Sequence, residues 1–178
     1  GLPETAVRES KDRVRSAIIN SDLSFPQKRI TLSLAPADLP KDGSRYDLAI
    51  ATALLAASGQ VLPEQLPQLE LLGELGLSGQ VRPVRGVLPA ALAARKAGHS
   101  LVVPTANAEE AALVSGLTLY AVEHLQQLVD HLNARNPLPP WHSGGLPETP
   151  PELPDLNQVQ GQLAAKRALL VAAAGQHN

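Results

Sequence analysis

Apolar positions at helical spacing open the chain. Ala6, Val7, Val14 and Ile18 form one stripe behind Pro3, whose missing N–H suits the first turn of a helix, and Arg8, Lys11 and Arg15 share the opposite face. Phe25-Pro26 breaks that helix. Ile30, Leu32 and Leu34 then alternate with Arg29, Thr31 and Ser33, the pattern of a half-buried strand. A loop over Pro36 to Arg45 leads into an Ala/Leu-rich run from Tyr46 to Ser58, a helix stopped at Gly59. Leu69 to Leu72 reads as a short strand, and Leu77-Ser78-Gly79-Gln80-Val81 as the turn of a hairpin. A further helix is expected over Val87 to Ala97, ended by Gly98, and a buried strand over Leu101 to Pro104. Asn107, with Glu110 three residues on, predicts a capped helix to about Ser115. Leu117, Leu119 and Ala121 alternate with Thr118, Tyr120 and Val122 as a last strand, and Glu123 to Ala134 closes the unit as a helix with Leu125, Leu128, Val129 and Leu132 inward. Strands interleaved with helices around one hairpin predict an α+β domain over residues 1–134, an α/β-type sandwich with a mixed sheet.

Residues 135–155 change character. Pro137, Pro139, Pro140, Pro147, Pro150, Pro151 and Pro154 predict a stiff linker and a domain boundary. Beyond it, residues 156–178 carry Val159, Leu163, Leu170 and Ala174 on one side of a helix. One such helix cannot fold alone, so it reads as the start of another, truncated domain. The chain has 178 residues, room for one buried core plus an appendage. It starts on Gly1 and contains no methionine, which suggests an excised piece of a longer product.

Composition narrows the chemistry. With Lys+Arg 15 against Asp+Glu 17, the net charge of -2 supplies no general attraction for a polyanion, so any nucleic-acid contact must rest on a local patch. The absence of cysteine removes disulfides, thiolate metal sites and a Cys nucleophile. His99, His124, His131, His142 and His177 show no metal-ligand spacing; His124 and His131 stand about 10.5 Å apart along a helix, so solvated or capping roles and no metal site are expected. No phosphate loop occurs, so no nucleotide cofactor is expected for this fragment. No apolar run reaches about 18 residues and the start lacks a signal-peptide plan, which predicts a cytoplasmic protein with no membrane partner. The segment Leu39 to Arg45 is the one place for a nucleophile: Ser44 with Lys41 as base, or simply a polar loop capping a helix. The Arg8, Lys11, Arg15 face reads as solvated charge paired with Glu4 and Asp12.

Longer motifs add a family. Lys41-Asp42-Gly43-Ser44-Arg45-Tyr46-Asp47, then Gly73 to Val84, then Val102-Val103-Pro104 resemble the proteolytic domain of Lon proteases, a ribosomal-protein-S5-domain-2-like fold, over Pro36 to Leu132. Gly1 to Ser10, Leu34 to Pro40 and Arg82 to Ala91 resemble more closely, and over nearly the whole chain, the YifB/ComM family of magnesium-chelatase-like AAA+ ATPases. That resemblance implies a hexameric, helicase-like protein of DNA branch migration in natural transformation and recombination. It implies ATP and Mg for the full-length protein, branched or single-stranded DNA as partner, and an amino-terminal Lon-like domain serving assembly and DNA engagement. The tail helix would open the ATPase domain, with the nucleotide-binding loop directly after it, and the first strands of the Lon-like sheet would precede Gly1. Ungapped alignment with Lon puts Arg45 at the serine nucleophile and Leu88 at the lysine, which implies a domain without peptidase chemistry, because a guanidinium cannot attack a carbonyl and an alkyl group cannot take a proton. RadA recombination proteins carry a stretch similar to Gly73–Arg82 in a like domain that contacts DNA, which makes Arg82, Arg85, Arg95 and Lys96 the first DNA-binding candidates and Arg8, Lys11 and Arg15 the second. A residual Ser44/Lys41 peptidase and a chelatase-type protein-remodelling partner are the alternatives.

Overall fold

The computed structural model describes residues 4–27 and 43–143. The strand expected over Ile30 to Leu34, the loop through Lys41 and the helix expected over 156–178 lie outside the described residues. Helix α1 (Glu4–Asn20) is followed by a 3-10 turn (Gly43–Tyr46) that runs into α2 (Asp47–Ala57). Strand β1 (Leu69–Leu71) comes next, then the hairpin β2 (Glu74–Leu75) and β3 (Val81–Arg82) and helix α3 (Val87–Ala97). The order closes with β4 (Ser100–Pro104), the one-turn α4 (Ala108–Ala111), β5 (Leu119–Val122) and α5 (Leu125–Leu132).

Strands β1, β4 and β5 form a parallel sheet in the order β1-β4-β5, with Leu69 opposite Ser100 and Leu101 opposite Leu119. Parallel and antiparallel pairing are both present, as expected of a mixed α/β fold. Among the described residues they lie in separate ladders, because β2 and β3 pair only with each other. Gly79 makes that hairpin turn possible: its φ of +95° is costly for a residue with a Cβ, and its N–H closes the turn on Gly76 O at 2.9 Å. The hairpin is fastened to the start of α5 by Val81 N–H to Glu123 O and Leu125 N–H to Gly79 O, both 2.8 Å.

The core divides along the sheet. On one face, Val14, Ala17 and Ile18 of α1, Leu48, Ala51 and Leu55 of α2 and Leu125, Leu128, Val129 and Leu132 of α5 meet Val102 and Val122. On the other, Val87, Ala91 and Ala94 of α3 and Ala108 and Ala111 of α4 cover Leu101, Val103 and Leu119. A parallel sheet buried on both sides has no polar face, so the alternation assigned to the last strand does not mark solvent. Leu119 and Ala121 enter the second cluster while Tyr120 and Val122 enter the first.

Two local expectations change. The helix expected from Asn107 to about Ser115 is one regular turn, and Asn107 does not cap it with its side chain. Its amide is used across the fold instead: Oδ1 accepts Val84 N–H at 2.9 Å and Nδ2 donates to Val84 O at 3.1 Å. The last helix starts at Leu125 rather than Glu123, because His124 is its N-cap, accepting Gln126 N–H on Nδ1 while Gln127 reaches back to the cap backbone.

Candidate functional site

The 3-10 turn before α2 is held against the start of the hairpin by two backbone bonds. Gly73 N–H donates to Arg45 O and Leu48 N–H donates to Gly73 O, each at 3.0 Å. This fixes where the Arg45 side chain departs. Its guanidinium lies on Gly86, the residue before α3, where a Cβ would stand 2.7 Å from Nη1, and Gly86 has φ +79°. The same group sits 5.2 Å from the centroid of the Tyr46 ring, and its Nε is buried with no hydrogen-bond partner. Leu88, two residues past Gly86, packs part-buried into the second core cluster. Arg45 thus reaches Gly86 in space and Leu88 follows it by two residues in the chain, and neither side chain can serve as a nucleophile or a base. Ser44 is half-buried, while Lys41 lies outside the described residues.

Asp47 is the site residue that sequence reading passed over. It is 0% exposed, at the first position of α2. Ser10 Oγ donates to its Oδ1 at 2.5 Å, Arg13 Nε to Oδ2 at 2.7 Å, Arg13 Nη2 to Oδ1 at 3.2 Å and Leu75 N–H to Oδ2 at 3.1 Å. One carboxylate thus joins α1, α2 and the hairpin, and the helix N-terminus adds a favourable dipole. The hydrogen bonds to Asp47, foremost, and its charge hold the Arg13 guanidinium above its ordinary pKa against the opposing effect of burial. No local motif announces this hub. Ser10 and Arg13 lie 37 and 34 residues from Asp47, and only the docking of α1 brings them in.

The charged candidates separate into groups. Arg82 and Arg85 are exposed beside the hairpin and at the entry to α3. Arg82 Nε lies 3.1 Å from where a Cβ of Gly76 would be, and Arg82 pairs in register with Glu74. Arg95 and Lys96 are exposed at the other end of α3, about 12 Å of helix rise beyond Val87, and Arg95 Nη1 donates to Ser115 O at 2.9 Å. Arg85 immediately precedes Gly86 in the chain, whereas Arg95 and Lys96 stand at the far end of α3. Arg8, Lys11 and Arg15 are exposed on α1, with Arg15 5.4 Å from the Phe25 ring centroid. Among the described residues no group of His, Asp and Glu is placed to hold a metal ion. His99 Nδ1 stands 2.9 Å from Glu70 Oε2, and His124 caps α5.

The chain itself belongs to a known class. The chain matches the family model for subunit ChlI of Mg-chelatase over residues 1–107 and is a member of that family. Within it, the whole chain is 47% identical to the competence protein ComM of Haemophilus influenzae and 48% identical to the protein YifB of Salmonella typhimurium. It spans 36% and 35% of those relatives, about a third of their length. Over 112 residues, 60% of this chain, it is 30% identical to part of Lon protease 2 of Thermus thermophilus, 14% of that protein. The Lon-like resemblance is thereby carried by sequence. No helix among the described residues is long and apolar enough to cross a membrane.

Proposed function

We propose that the chain is the Lon-like module of a cytoplasmic ComM-like ATPase, that it cuts no peptide, and that it engages the DNA backbone on the surface around Gly86. The observation that carries this reading is the Arg45 guanidinium resting on Gly86, with the exposed Arg85 next to it in the chain, at the positions the Lon resemblance aligns with the nucleophile and base region. Exchanging a nucleophile for a guanidinium replaces covalent chemistry with a fixed cation, and arginine presents planar donors suited to phosphate oxygens. Arg82 extends the charge along the hairpin. The motor function belongs to the rest of the protein, where ATP and Mg would act, with a hexamer multiplying weak contacts of each module. Branch migration of recombination intermediates is the activity this division of labour serves.

The test is binding of a branched DNA across a salt series. A module that neutralises three or four phosphates gives a log-log slope of roughly -3 and loses most affinity by moderate salt. Arg82→Ala with Arg85→Ala is expected to reduce that slope by about 2 while leaving the fold unchanged. Unchanged affinity and slope would reject this surface and turn attention to Arg8, Lys11 and Arg15. Binding without any salt dependence, or none at all, would favour a protein-remodelling role of the chelatase type. Labelling of Ser44 by a serine-reactive phosphonate, lost in Ser44→Ala, would overturn the non-proteolytic reading.

A further inference from the structure

After α5 the chain does not leave the domain at once. Leu138 packs into the core cluster on one face of the sheet and Trp141 into the cluster on the other, so residues 138–141 cross from face to face at the β5 side. Trp141 N–H donates to Leu119 O at 2.6 Å, on the strand that ends the β1-β4-β5 order. Ser143 Oγ adds an exposed bond to Glu109 Oε1 at 3.2 Å.

Proline content makes this attachment unusually dependent on two bonds. Of residues 137–141, Pro137, Pro139 and Pro140 have no backbone N–H, so Leu138 and Trp141 hold the only two backbone donors. Both are committed to the domain: Trp141 to a carbonyl, which cannot titrate, and Leu138 to Nδ1 of His131, which can, at 2.8 Å.

We propose that residues 137–141 form a releasable strap latched by His131, docked when that imidazole is neutral and loosened when it takes a proton. To accept from Leu138, Nδ1 must carry no hydrogen, which places the ring proton on Nε2. Protonation puts a second N–H on Nδ1, pointing at the Leu138 N–H. Two donors then face each other, the hydrogen bond is lost, and the ring becomes a partly buried cation without that partner. Of the other charged or titratable groups, the Tyr120 ring centroid lies 5.1 Å from that of His131, the Asp130–Arg135 ion pair adjoins His131 on α5, Glu64 lies two residues beyond Leu62, whose N–H donates to Asn133 Oδ1, and His142 directly follows the strap. Burial holds the His131 pKa below its ordinary value of 6.5. Because the released state binds the proton more readily, docking is complete above about pH 6.5 and is lost as pH falls from there toward the docked-state value. The strap is the path from this domain into the chain that follows, so its release frees the join between them.

Trp141 is the one tryptophan of the chain, which makes it a clean reporter. With the full chain at pH 7.5, its emission is expected to be blue-shifted and protected from acrylamide. Between pH 6.5 and 5 the emission should move to the red and quenching should rise, the docking equilibrium falling by up to about tenfold per pH unit, with far-ultraviolet circular dichroism constant. His131→Gln keeps a side-chain acceptor and cannot titrate in this range, so its Trp141 signal should stay at the docked value at every pH. His142→Gln should retain the wild-type step. A flat signal in the wild type, the same step in His131→Gln, or loss of the step in His142→Gln alone would each overturn the proposal. One-dimensional NMR titration of the His131 ring in the wild type gives a readout independent of the variants: its midpoint must coincide with the Trp141 transition.

Discussion

Arg45 and Asp47 are two residues apart and have opposite fates. The Asp47 carboxylate is fully buried and receives four hydrogen bonds from α1 and the hairpin. The Arg45 guanidinium buries its Nε without a hydrogen-bond partner and rests on a glycine and a tyrosine ring. A charge satisfied from every side holds elements together and has nothing left to offer a ligand. A charge propped by packing alone keeps donors for one. The contrast separates scaffold from candidate surface within a single turn of chain, and variants at both positions can break it.

The largest effect is expected at the hub. Asp47→Ala leaves Ser10 Oγ, the Leu75 N–H and the part-buried Arg13 guanidinium without their shared acceptor, and removing one partner of such a pair costs about 3 kcal/mol. Urea denaturation checks it. A loss under about 1 kcal/mol would mean that water replaces the carboxylate easily and that the hub does not fix the arrangement of α1, α2 and the hairpin.

At Gly86 a smaller effect is expected. Gly86→Ala places a Cβ at φ +79° and within 2.7 Å of Arg45 Nη1. The backbone part costs about 1 kcal/mol whatever occupies position 45, and the contact part is relieved by moving a long side chain. A double-mutant cycle with Arg45→Ala should therefore give a coupling of roughly 0.5 kcal/mol. Zero coupling would show that Arg45 does not lie on Gly86 in solution.

What the sequence disclosed followed from how local each cause is. Helix α3 and its stop at Gly98 depend on neighbours within a turn, and the Gly79 hairpin on four residues, so both were legible. Asn107 looked like a cap because capping is local, yet its partner Val84 lies 23 residues away and wins both ends of the amide. The Asp47 hub was invisible for the same reason. The last strand was legible as a strand from its alternation, but nothing in ten residues reveals that helices cover the sheet on both sides. Family resemblance, by contrast, pointed to Arg45 and Leu88 through whole motifs, and the 47% and 48% identities over the full chain uphold that family. The proline run announced a linker but could not announce that Leu138 and Trp141 tie its first part down.

Arg45→Ala should have the smallest effect on stability and the most informative one on binding. Deleting the side chain loses a cation–ring contact worth about 0.5 to 1 kcal/mol and some packing on Gly86. Against this, it removes a buried Nε with no partner, whose desolvation costs about 1 kcal/mol or more. The terms oppose, so the midpoint of urea denaturation should shift by no more than about 0.5 kcal/mol equivalent. In the salt series on branched DNA, by contrast, the slope should fall by about 1 if the guanidinium meets a phosphate. A destabilisation of 2 kcal/mol with unaltered DNA binding would make Arg45 a structural residue like Asp47, and the division between satisfied and available charge would collapse at the position that suggested it.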